Sequence, residues 1–95
     1  MAEYIETYEV GDRIHIRPAT VIMKFSDSYR REGLAMYLRV PGTTEEIRTD
    51  SVIAIVSKGI SPERTPHIEV IVRGEDPEVL KHVAKGIGVI LEVSS

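Results

Sequence analysis

Between Ile68 and Leu91 the spacing of apolar residues changes once, and that change limits what the chain can fold into. Ile68, Val70 and Val72 recur at every second residue, the period of a strand with one buried face. Leu80, Val83, Ala84, Ile87 and Leu91 then recur at the three- and four-residue steps of a helix with one buried face. The segment between them, Gly74-Glu75-Asp76-Pro77-Glu78, is a helix start. Asp76 serves as N-cap, Pro77 takes the first helical position, where its missing N–H costs nothing, and acidic residues surround the positive helix end. Gly86 and Gly88 weaken this helix by about 1 kcal/mol each relative to alanine and mark where it frays or bends. A sheet layer and a helix layer must then share a core. In 95 residues there is room for one such core, so residues 1–95 are read as a single domain.

The same reasoning places the other elements. Glu3 to Val10 alternates loosely and forms a first strand with Tyr4, Glu6, Tyr8 and Val10 on one side. Glu6 on that inner side suggests an edge position or a strand end. Pro18 belongs to the first turn of a helix running from about Ile16 to Ser28, with His15 at or beside its N-cap. Leu34, Met36, Leu38 and Val40 mark a second strand. Pro41-Gly42 suits the centre of a type II turn, from which Thr43 to Arg48 returns as a hairpin arm with a solvated Glu45-Glu46 pair. Val52 to Lys58 is a short helix, or a buried strand, with Asp50 or Ser51 as cap and Gly59 just past its end. Ser61 to Pro66, polar and holding two prolines, is a surface loop. The expected fold is α+β, an open-faced β-sandwich in the order βαββαβα. A four-stranded antiparallel sheet carries three helices on one face and leaves the other face to solvent.

Twelve Lys and Arg against fifteen Asp and Glu leave a net charge of −3, without the basic stripe of a nucleic-acid binder. With no cysteine, disulfides, thiolate nucleophiles and Cys-based metal sites are ruled out. No apolar run approaches the ~20 residues that cross a bilayer, and the first residues lack a signal peptide's regions. A cytoplasmic chain without membrane insertion is expected. His67 and His82 lack spaced partners, so neither a metal site nor a cofactor is expected.

One short stretch carries chemistry. Ile14-His15-Ile16-Arg17-Pro18-Ala19 puts a histidine where a turn meets a helix, with an arginine two residues on. The helix start offers unpaired backbone N–H groups and a partial positive charge, and a guanidinium forks onto phosphate oxygens. A neutral imidazole held there can accept a phosphoryl group and pass it on. On residues alone, a capping histidine beside a solvated arginine explains the stretch equally well.

The chain resembles HPr, the histidine-containing phosphocarrier family of the phosphoenolpyruvate:sugar phosphotransferase system. The phosphorylation motif Gly-Leu-His-x-Arg-Pro-Ala is matched by Ile14 to Ala19, the serine helix start by Asp50-Ser51-Val52-Ile53, and later segments by Gly59-Ile60 and Gly74-Glu75-Asp76. The resemblance implies that His15 is phosphorylated on Nδ1 by enzyme I and hands the group to a IIA component of a sugar transporter. Arg17 would stabilise the phosphoryl oxygens, together with the backbone N–H groups of Ile16 and Arg17. The chain departs from the pattern at Arg13, where a glycine is usual, and at Ile16, where a small residue is usual. The loops Arg30 to Thr44 and Ser61 to His67 look longer than the family's.

Ser51 stands where many HPr proteins carry a kinase-modified serine. Asp50 replaces the usual lysine there and would repel a phosphate, so a plain N-cap serine is the preferred reading. Two protein partners must reach His15, and the candidate surface is Thr20 and Lys24 on the first helix with Val52, Ile53 and Val56 on the short one; a core role is as good a reading for Ile53 and Val56. A carrier serving two partners is expected to be a monomer. The alternatives are an HPr-like regulatory module acting through Ser51 with a serine kinase and no transfer, and an unrelated ligand-binding domain.

Overall fold

A computed structural model describes residues 1–93. Strand β1 (Ala2–Glu9), helix α1 (Ile16–Arg30), strands β2 (Ala35–Arg39) and β3 (Ile47–Arg48), helix α2 (Val52–Ser57), strand β4 (His67–Gly74) and helix α3 (Pro77–Val93) follow in that order. The strands form an antiparallel sheet in the order β1-β4-β2-β3. The long apolar strand β4 is therefore interior and pairs with β1 over its full length, Ala2 facing Gly74 and Glu9 facing His67. α3 packs on β1 and β4, α1 reaches β2, and α2 fills the end of the same layer against α1 and β3.

The expected periodicities are those observed. Ile68, Val70 and Val72 from the sheet meet Ile22 from α1, Ile55 from α2 and Leu80, Val83, Ile87 and Leu91 from α3, all essentially inaccessible to solvent. Glu6 does lie on the inner face, and β1 is an edge strand as that residue suggested. Its carboxylate survives there by accepting from the Tyr4 hydroxyl and facing Lys85 of α3 at 3.9 Å. The Tyr4 hydrogen bond holds the Glu6 carboxyl below the usual carboxylate range.

Three expectations need correction. First, α3 runs unbroken through Gly86 and Gly88. A Cβ at Gly86 would lie 2.3 Å from the Phe25 ring, and one at Gly88 2.3 Å from the Tyr8 ring. The glycines let two aromatic rings lie against the helix backbone, so their role is packing rather than a break. Second, only Ile47 and Arg48 of the Thr43 to Arg48 arm pair with β2. The Pro41-Gly42 turn is present, with Gly42 at φ 88° and a 3.0 Å bond from the Thr43 N–H to the Val40 carbonyl. Third, the sheet face opposite the helices is not simply bare. Ile71 on that face is fully buried, with Ile5 and Tyr37 as its cross-strand neighbours. Arg73 lies over the Tyr37 ring and makes ion pairs with Glu3 and Glu46, while Arg39 pairs with Glu69. Glu46, read as solvated, accepts two hydrogen bonds from Arg73 at 2.9 and 2.6 Å, and Glu45 pairs with Lys58.

Candidate functional site

Three backbone hydrogen bonds fix the approach to His15. The Val10 N–H donates to the Pro66 carbonyl, Gly11 to Leu91 and Ile14 to Ile60, at 2.9 to 3.0 Å. Gly11 is required by the second of these, because a Cβ there would fall 2.0 Å from the Glu92 carbonyl oxygen. Asp12 turns the chain by accepting the Arg13 N–H at 2.8 Å. Ile14, anchored in the core, leaves His15 as the N-cap of α1, half-buried and in an extended conformation.

His15 caps with its own ring. Its Nδ1 accepts the Arg17 backbone N–H at 3.3 Å. An accepting Nδ1 carries no proton, so the ring proton sits on Nε2 and the Nδ1 lone pair faces the helix end. The bond is long for its type, and a better acceptor can displace it. Pro18 has no donor, and the Ile16 N–H has no hydrogen-bond partner among the described residues. The first turn holds no acidic residue. This end of α1 therefore presents two N–H groups and its dipole to whatever sits on Nδ1.

Beside the ring lies a cleft of about 340 Å³ lined by Arg13, His15, Val56, Gly59, Ser61 and Arg64. No carboxylate lines it. Arg64 was not singled out by the sequence, where an arginine in a proline-flanked loop looks like any solvated charge. The Arg17 side chain is exposed and does not line this cleft; its backbone N–H is what meets His15.

The other candidate residues fall around this centre in different ways. On α1, the Thr20 hydroxyl donates to the Ile16 carbonyl at 2.7 Å, and Lys24 is exposed. On α2, Val52 and Val56 are half-buried against the core, whereas Ile53 is 81% exposed and Ile16 on α1 is 66% exposed. Ser51 is the N-cap of α2, its hydroxyl accepting from the Ala54 N–H at 3.1 Å. Asp50 beside it accepts two hydrogen bonds from Arg48, at 3.0 and 2.6 Å, and these hold its carboxyl below the usual range. A phosphate on Ser51 would have to displace or compete with that carboxylate. His67 and His82 are exposed, and no group of side chains suited to a metal occurs among the described residues. Among those residues no helix is long and apolar enough to cross a membrane.

No family model and no curated protein sequence matches the chain. Solved structures do. The phosphocarrier protein HPr from Bacillus anthracis superposes with a TM-score of 0.74 at 14% identity, covering 96% of this chain and 99% of that one. HPr-C-His from Thermoanaerobacter tengcongensis gives 0.66 at 15% identity, covering 100% and 99%. The histidine-containing phosphocarrier protein of a Mycoplasma gives 0.59 at 13% identity, covering 94% and 90%. At such low identity the likeness is one of backbone and topology, and on that ground the chain has the HPr fold.

Proposed function

We propose that this protein is a phosphocarrier. His15 accepts a phosphoryl group from an enzyme I, ultimately from phosphoenolpyruvate, and passes it to a IIA component of a sugar transport system. The observation that carries this reading is the His15 cap, in which a neutral imidazole turns its Nδ1 lone pair to a helix end free of acidic residues. In the transfer, Nδ1 forms a bond to phosphorus as the donor's bond to phosphorus breaks, and the donor keeps that bonding pair. The Nε2 proton stays in place. The Arg17 N–H, released from Nδ1, turns to a phosphoryl oxygen, joined by the Ile16 N–H and a guanidinium. Handing the group on reverses the sequence, and the imidazole recovers its cap. The fold is a carrier scaffold with one reactive residue rather than a stand-alone enzyme.

Partners would dock on the exposed apolar residues Ile16 and Ile53, with Lys24 drawing acidic surfaces. A small patch of this kind suits short-lived complexes, in which a cytoplasmic monomer exchanges between donor and acceptor. Incubation with phosphoenolpyruvate and a competent enzyme I should place an acid-labile phosphate on His15. His15→Ala should abolish the label, while Ser51→Ala keeps it. No label on a folded protein, with a control HPr labelled in parallel, rejects the proposal. A phosphate found on Ser51 alone would favour the regulatory module.

A further inference from the structure

The cleft beside His15 holds more positive charge than a cap needs. Arg13 and Arg64 both line it, and neither makes an ion pair with a carboxylate among the described residues. Like charges sharing a concave surface repel, and an anion between them relieves that repulsion. Arg64 is also built into place. Its loop folds back through a 2.7 Å bond from the Thr65 N–H to the Ser61 carbonyl, and the Arg64 N–H points at the Ser61 hydroxyl at 3.4 Å. The guanidinium then rests on the bare Cα of Gly59, where a Cβ would lie 2.9 Å from its terminal nitrogen. Gly59 has φ +63°, so glycine serves there both as the turn that ends α2 and as the seat of the arginine. The bond from the Ile14 N–H to the Ile60 carbonyl fixes the distance between that seat and the histidine.

We propose that Arg64, seated on Gly59, is the guanidinium that grips the phosphoryl oxygens at His15, with Arg13 as the second cation of the same cleft. Resemblance gives this role to Arg17, whose side chain lies outside the cleft. The assignment rests on His15 being the phosphoryl acceptor, and two measurements separate the two ideas.

Inorganic phosphate titrated into the 15N-labelled protein should shift the His15 ring and the Arg64 Nε–H signals together, with one dissociation constant. Arg64→Ala should weaken that binding about five- to tenfold, Arg64→Lys by less, and Arg31→Ala, at the far end of α1 from His15, not at all. In the enzyme I assay, Arg64→Ala should lower the rate of His15 labelling, and the Arg64→Lys variant should recover part of it. A labelled wild type, with Arg64→Ala and Arg64→Lys binding phosphate and accepting label as the wild type does, overturns the Arg64 assignment and leaves the carrier standing. An unlabelled wild type overturns the carrier reading, whatever the titration shows.

Discussion

The two charged regions of the molecule are built on opposite plans. On the open sheet face every arginine meets a carboxylate: Arg39 meets Glu69, and Arg73 meets both Glu3 and Glu46. Around His15 the reverse holds, because Arg13, Arg17 and Arg64 have no carboxylate partner among the described residues. The chain carries more acidic than basic residues overall, so unpaired arginines clustered at one end do not follow from composition. On the sheet, the Arg73 guanidinium lies over the Tyr37 ring, whose cross-strand neighbour Ile71 is buried on a face without helices. At the histidine the charge is left uncompensated. Charge there is paired, and charge here is left without a carboxylate among the described residues.

That contrast can be broken from either side. The largest expected effect is at Arg73, which holds two carboxylates and covers Tyr37. Arg73→Ala should cost about 1–2 kcal/mol in urea unfolding and leave His15 labelling unchanged. Acid should expose the same network more gently. Hydrogen bonds from Arg73 hold the Glu46 carboxyl below its usual 4.5, so its folded value lies under its unfolded one. Its contribution is complete above the unfolded value and is lost as pH falls through the folded one. The urea midpoint should therefore drop as pH falls below the ordinary carboxylate range, and less steeply in Glu46→Gln than in the wild type. The smallest effect is at the other end: Arg13→Ala and Arg17→Ala should each change stability by less than about 0.5 kcal/mol. A loss as large as that of Arg73→Ala would show that these arginines are structural after all.

Local chemistry was legible in the sequence, and distant pairing was not. The His15 cap, the Pro41-Gly42 turn and the Asp76-Pro77 helix start each depend on residues within three or four positions, and each forms as read. Glu46 looked solvated because its partner Arg73 lies 27 residues further on. Gly86 and Gly88 looked like weak points because Phe25 and Tyr8, which need their bare backbone, come from another helix and another strand. The Ser51 cap was readable from its own neighbours as well. Ile53 could have gone into the core by its hydropathy alone, and only the rotation of a six-residue helix decides that it points outward. Arg64 had no signal of its own, since nothing in a polar loop tells which charge will fold back over a glycine.

The backbone ties around His15 also join segments far apart in the chain. The segment leading to the histidine leans on Ile60, Pro66 and Leu91, and the first strand has no neighbour but the fourth. His15 precedes all three of these partners in the chain. Contacts this far apart close slowly. A fragment that stops short of Ile60 therefore carries the imidazole without the backbone partners that fix its approach.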